Sequence, residues 1–336
     1  MSKSNYEGQD RGDGASYQQY LEAMDAIAVE KVASASVFFH AQAGGTLIDV
    51  GTSTAILAKL FPEQQLVGVD INPQMVDFAQ QKYQASNLSF RVDDGETLST
   101  FEEGTVDGFF NCSAIHHITS YNNYDNNRAY ASLARQAALL RVGGVLVVRD
   151  FVKPELQEVI LELSSSSRSE RPSDPELLIL FAQHARALAP AEQRGFPLEE
   201  LKPEKEGFRR FKLFNTDAVE FIRRKDYYAN WDIELQEEYA YFTQAEFESA
   251  LQRLGLRIIL SAPIYNAWII NNRYKDQFRW FDLAGTEIGF PPTNYIIAAE
   301  KVEQGTALAL IRHVASAEEP FLQRSAYREG AGGPVY

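Results

Sequence analysis

Short apolar runs and amphipathic stretches take turns along the first half of the chain. Thr46-Leu47-Ile48-Asp49-Val50-Gly51 is a run of the buried-strand type that closes on glycine, and similar runs occupy 66–70, 88–92, 106–112 and 144–150. Between them, 54–61, 73–84 and 127–140 carry apolar residues at helical spacing. A further helix is predicted upstream, from Ala15 to about His40, on Tyr17, Tyr20, Leu21, Met24, Ile27, Ala28 and Val32. Strands separated by helices imply right-handed βαβ crossovers and a mostly parallel sheet covered on both faces.

The rhythm breaks after Phe151. Residues 152–240 show helical patterns, a run of serines at 164–167 and several prolines, but no run that reads as a buried strand. It resumes at Thr243, an expected N-cap with Glu246 three residues on, as in a capping box. Helix 244–254, strand 256–262 and strand 294–301 follow, bringing the strands to seven. The predicted class is therefore α/β, a doubly wound, mostly parallel seven-stranded sheet with a largely helical insertion after the fifth strand. The expected organisation is a flexible leader over 1–14, the main domain over 15–151 and 242–302, an insertion or substrate cap over 152–241, and a tail or linker over 303–336.

Composition narrows the function. A net charge of −14 works against a polyanionic partner, and apolar residues at 45% fit a globular protein. Arg209, Arg210 and Lys212 form a local basic patch that reads first as a solvated charged face. A single cysteine, Cys112, excludes an internal disulfide and a Cys-based zinc site. The opening residues lack an apolar signal region, and no run is long enough to span a bilayer. The expectations are a cytoplasmic enzyme with a small-molecule substrate and neither a nucleic-acid nor a membrane partner; one expected assembly is a homodimer through the insertion.

Asp70 follows Gly51 by 19 residues, each at the end of a strand. A carboxylate so placed accepts hydrogen bonds from the ribose hydroxyls of a nucleotide bound at the first strand's end. A dinucleotide loop needs further glycines to admit a pyrophosphate, and Gly51-Thr52-Ser53-Thr54-Ala55-Ile56 has none of them.

These residues resemble the class I S-adenosylmethionine (SAM)-dependent methyltransferases. Asp49-Val50-Gly51-Thr52-Ser53-Thr54-Ala55 is similar to the family's acid–x–Gly–x–Gly–x–Gly loop, with Ser53 and Ala55 departing from glycine. Asp70-Ile71 resembles the second motif, which implies Asp70 on the ribose and Ile71 on the adenine face. Asp93-Asp94-Gly95 resembles the third, whose acid meets the adenine amino group; the spacing favours Asp94. Arg141-Val142-Gly143-Gly144 resembles the turn into the fifth strand. The likeness covers about 45–152 and 242–301. It implies a Rossmann-like methyltransferase fold, SAM as cofactor, and cofactor contacts from Asp49, Gly51, Thr52, Ser53, Asp70, Ile71, Asp93, Asp94 and Gly95. It further implies Asn111 and Ser113 beneath the methionine end, and Tyr20 or Tyr17 closing over it.

Methyl transfer from an activated sulfonium asks the protein mainly for alignment and exclusion of water. A hydroxyl or amine acceptor gains further from a base, and His117, with His116 behind it, is the candidate at the end of the fourth strand. Adjacent histidines are expected to point to different sides and to lack the i, i+4 facing of helical metal ligands, so no metal is expected. Asp150 is a candidate for acceptor contact or a structural cap. The expected activity is methyl transfer to oxygen or nitrogen of a small metabolite. The rival readings are another SAM-using reaction on the same fold, a nicotinamide-dependent oxidoreductase, and a scaffold without a cofactor.

Overall fold

A computed structural model describes residues 32, 36–41, 43–51, 58–166 and 171–303. The expected helix over 15–40, the start of helix 54–61, Thr52, Ser53, Ala55, Tyr17, Tyr20 and the tail lie largely or wholly outside the described residues.

The main sheet contains β1 (Thr46–Val50), β2 (Gln65–Asp70), β3 (Leu88–Val92), β4 (Val106–Cys112), β5 (Leu140–Asp150), β9 (Leu256–Ile264) and β11 (Asn294–Lys301). Its spatial order is β3-β2-β1-β4-β5-β11-β9. The first five strands run parallel and β11 antiparallel to both neighbours. The order reverses between β1 and β4, and ligands of open α/β sheets bind at the carboxyl ends beside such a reversal. Alternate residues serve separate cores: Ile48, Val50, Leu146, Val148 and Ile297 on one face, Leu47, Val145, Val147 and Ile296 on the other. A strand buried on both faces reads as an unbroken apolar run.

Local signals set the helices. Helix α1 (Pro73–Lys82) starts with Asn72 accepting from Gln74 N–H (2.9 Å) and Pro73 in the first turn. Two more helices, α2 (Ile115–Ser120) and α3 (Asn126–Leu139), lie between β4 and β5. Past the insertion, α6 (Gln244–Arg253) carries the predicted Thr243–Glu246 capping box.

The insertion departs from its expected helical character. Besides α4 (Asp174–His184) and α5 (Asn215–Arg224), it contains β6 (Glu158–Ser164), β7 (Glu199–Leu201) and β8 (Phe208–Phe214). These join β10 (Phe278–Phe281), from the connection between β9 and β11, in an antiparallel sheet of order β10-β6-β8-β7. The second domain therefore draws on two stretches of chain, and residues around β10 do not belong to the main sheet as the sequence division had them.

Charge inside the strands hid them. Val159, Leu161, Leu163, Phe211 and Leu213 pack against Leu177, Phe181, Phe221 and Trp280. The opposite face of the same strands carries Glu162 between Arg210 (3.7 Å) and Arg279 (3.3 Å), and Lys212 on Glu158 (3.0 Å). Arg209 makes a two-point contact with Glu200 (2.8 Å each). The basic patch is thus neutralised within the sheet. The longer of the two excursions leaves and rejoins the main sheet at neighbouring points, where Lys153 N–H donates to Phe242 C=O (2.8 Å). No helix among the described residues is long and apolar enough to cross a membrane.

Candidate active site

The carboxyl ends of β1, β2 and β4 carry the predicted residues. Asp49 is buried in β1, and Gly51 follows with φ +127°, a region that side chains rarely enter; a Cβ there would meet no atom within 4 Å. Gly51 N–H donates to Val69 C=O (2.9 Å), bringing the loop's start against the end of β2. Asp70 is half-buried there, its Oδ1 accepting from Asn72 N–H (2.8 Å), with half-buried Ile71 next to it. The helix cap is Asn72, so capping does not explain Asp70.

The loop after β3 separates its two acids. Asp93 is buried and accepts from Asp94 N–H (2.9 Å), Ser99 N–H (3.2 Å) and Oγ–H (3.1 Å), and Thr100 N–H (2.9 Å) and Oγ1–H (2.7 Å). Burial alone would raise its pKa, but these bonds, those from Thr100 foremost, hold it below the usual carboxylate value. Both oxygens of Asp93 accept bonds from the loop, so its side chain ties the loop together. Asp94 accepts from Glu96 N–H (2.8 Å). Gly95 lies so close to β1 that a Cβ would stand 2.9 Å from Val50 Cγ1, which fixes this loop beside the first strand's end.

Asn111 is fully buried, and its amide exchanges hydrogen bonds with that of Gln136 on α3 (2.8 and 3.0 Å), so its side chain ties β4 to a helix. Ser113 sits just beyond with φ +52°, a strained value for a residue with a side chain, its N–H on Arg149 C=O (2.8 Å).

The histidines do not diverge. Their rings lie 4.2 Å apart and tilted by 31°, because Ile115 has already begun α2 and successive side chains on a helix are about 100° apart, where on a strand they would oppose. Both approach one carboxylate, Glu237 of the insertion: His117 Nδ1 at 3.3 Å and His116 Nε2 at 3.9 Å. Donor atoms of the three lie within 4.8 Å of one another, a spacing that three ligands of one cation can adopt, contrary to the expectation from the dipeptide.

His116 is held from behind. Its Nδ1 lies 2.8 Å from Asp150 Oδ1, and Asp150, fully buried, also accepts from Phe151 N–H (3.1 Å) and Tyr241 O–H (3.3 Å). Asp150 is thus an orienting group. Burial pushes the His116 pKa down, but Asp150, then Glu237 and Glu220, outweigh it and raise it. His117 is less buried, its side chain 19% exposed and stacked on Tyr121 (6.2 Å between centroids, 15°). Tyr121 O–H donates to Glu237 (3.2 Å) and Tyr124 O–H to Gln236 C=O (2.8 Å), so the chain after α2 docks on 236–241.

Sequence reasoning missed Glu237. Its only signal was the acidic and aromatic density of Glu234-Leu235-Gln236-Glu237-Glu238-Tyr239, and nothing in that stretch says which acid reaches β4.

The segment that carries these strand ends matches a family model described as a methyltransferase domain, over residues 48–148. Residues 48–148 thus form a methyltransferase domain, as the four motifs of the sequence led one to expect. A demethylmenaquinone methyltransferase of Deinococcus radiodurans is 29% identical over 113 residues, 32% of this chain and 44% of that relative. The match thus spans less than half of the relative's length. Among solved structures, a complex of the Haloferax volcanii Trm112 methyltransferase activator with a methyltransferase aligns over 90% of this chain and 100% of that chain, with 13% identity and a TM-score of 0.50. That likeness shows a shared fold. A geranyl diphosphate C-methyltransferase of Streptomyces coelicolor aligns over 88% of this chain and 86% of that one, with 12% identity and a TM-score of 0.45.

Proposed function

We propose that this protein transfers a methyl group from SAM to an oxygen or nitrogen of a small-molecule acceptor. The observation that carries the reading is the meeting of the methyltransferase segment with half-buried His117 beside buried Glu237 at its β4 end. The residues present fit the cofactor. Gly51 leaves open backbone at the first strand's end, Asp70 stands at the neighbouring strand's end for the ribose, and Asp94 lies in the loop expected to meet adenine. Thr52, Ser53 and Tyr20 remain expected contacts.

The cofactor supplies an activated methyl group. This chain's residues would align the acceptor and hold its proton. With His117 Nδ1 facing Glu237 at 3.3 Å, Nε2 is the nitrogen that would accept a proton from a hydroxyl or amine. Glu237, its side chain 4% exposed, would stabilise the imidazolium formed. Asp150 orients His116 behind it. A net charge of −14 favours a small acceptor over nucleic acid.

Calorimetric titration with SAM and S-adenosylhomocysteine tests the cofactor reading, with NADH and Asp70→Ala as controls. Binding of both sulfur compounds, weakened about tenfold or more in the variant, is expected. Binding of NADH alone would sink the reading.

A further inference from the structure

Two neighbouring arginines on α5 are almost equally buried and differently treated. Arg224 is fully answered: it pairs with Glu220 and donates to the carbonyls of Glu234 and Glu237 (2.7 Å each). Arg223, 7% exposed, is not. Its terminal nitrogens donate only to the main-chain carbonyls of Val152 (3.2 Å) and Pro292 (3.4 Å), and its buried Nε meets no acceptor. Among the described residues it forms no ion pair with a carboxylate. Glu220 and Asp150 act on it from a distance, Arg224 opposes them, and burial pulls its pKa down.

A buried cation without a counter-charge is expensive, and one with a vacant N–H more so. The position of this one suggests what it is kept for. Val152 follows the end of β5 and Pro292 precedes β11, whose start pairs with that same end, so both carbonyls stand at the sheet's ligand-binding edge. The guanidinium lies over the Phe151 ring (4.9 Å), which stacks on Tyr239 (4.7 Å, 11°) and meets His116 edge-on (5.7 Å). An aromatic shelf therefore leads from Arg223 to the histidines.

We propose that Arg223 recognises an oxyanion, carboxylate or phosphate, carried by the methyl acceptor. This rests on the reading above that the acceptor lies beside His117. Nε and a terminal N–H of a guanidinium form a fork that matches two oxygens of such a group. Asp150 and Glu237 lie against the histidines and repel an anion from that end. The anionic end of the acceptor is thus directed to Arg223, and its nucleophilic end to His117.

The test uses the full chain, with and without S-adenosylhomocysteine, and measures thermal shift and calorimetric affinity for benzoate, phenyl phosphate, benzamide and inorganic phosphate. Benzoate or phenyl phosphate is expected to raise the melting temperature where neutral benzamide does not. In Arg223→Gln that affinity falls by about tenfold or more, and S-adenosylhomocysteine binds as before. The ligand-free variant melts no lower than the wild type, since an unanswered charge has gone; a merely structural arginine would leave it less stable. Arg223→Lys keeps the charge, loses the fork and weakens the benzoate response, which covers the case of a glutamine variant that does not fold. The preference between the two aryl anions identifies the oxyanion. No anion response in the wild type, an unchanged one in Arg223→Gln, or inorganic phosphate binding as well as phenyl phosphate would overturn the proposal. Failure of S-adenosylhomocysteine to bind at all counts against the methyltransferase reading, and the anion arm without it still decides on Arg223.

Discussion

Glu237, supplied by the inserted domain, lies 3.3 Å from Nδ1 of His117 at the carboxyl end of β4. In the proposed reaction this pair makes the insertion part of the chemistry and more than a cover. The proposal also separates cofactor binding, assigned to β1, β2 and the loop after β3, from proton transfer, assigned to the His117–Glu237 contact.

Removing the base should therefore spare cofactor affinity. His117→Ala is expected to slow methyl transfer by about 10²–10⁴-fold, and Glu237→Gln by a smaller factor, with S-adenosylhomocysteine affinity unchanged in both. Turnover of an accepted substrate beside calorimetry of the product cofactor checks this. A parallel loss of affinity would show that the pair shapes the cofactor site.

The two acids after β3 should part company. Asp93→Asn is expected to lower stability by about 2–4 kcal/mol, since five donors lose a charged acceptor, while Asp94→Asn weakens cofactor binding at near wild-type stability. Because the Asp93 pKa is held below its unfolded value, its contribution is present above about pH 4 and is lost as pH falls through the folded value. Urea denaturation at pH 7 and at pH 3 measures both, and an Asp93→Asn deficit that persists undiminished at pH 3 contradicts the assignment.

Asp217 behaves in the opposite sense. Burial pushes its pKa up to about 6, only partly countered by Arg186 at 4.0 Å. Folding thus favours its protonated form, and the advantage is lost as pH rises from about 4 through 6. Asp217→Asn should stabilise the protein at pH 8, by at most about 3 kcal/mol, and make little difference at pH 4. Equal effects at the two pH values would rule this out.

The His116–His117–Glu237 cluster offers a cation three donors, yet Asp150 already supports a proton on His116. We expect turnover to survive dialysis against a chelator. A loss of activity restored by one divalent ion would instead make these residues metal ligands.

How much of this could be read from the chain alone follows from which faces are buried. The strands of the main sheet were legible because residues such as Ile48 and Leu47 serve opposite cores, so the whole run is apolar. Thr243 with Glu246 announced its helix through a cap that needs only neighbouring residues. The ends of β1 and β2, with Gly51 and Asp70, followed from the same rhythm. In contrast, β6 and β8 carry Glu162, Arg210 and Lys212 on their outer face, and those charges make sense only once Arg279 and Glu158 are seen beside them.

The sequence by itself determined the order of elements in the main sheet, its mostly parallel course and the strand ends where a cofactor is expected, because periodicity, glycine and capping act over a few residues. Only the tertiary structure decided that Asp93 and Asn111 are internal ties, that both histidines turn toward one carboxylate, that Glu237 is that carboxylate, and that Arg223 meets no carboxylate among the described residues while Arg224 beside it is paired. Each of these depends on which polar groups meet across long stretches of chain. In a buried seam a charge takes its meaning from the partner it finds, and no local pattern records that partner.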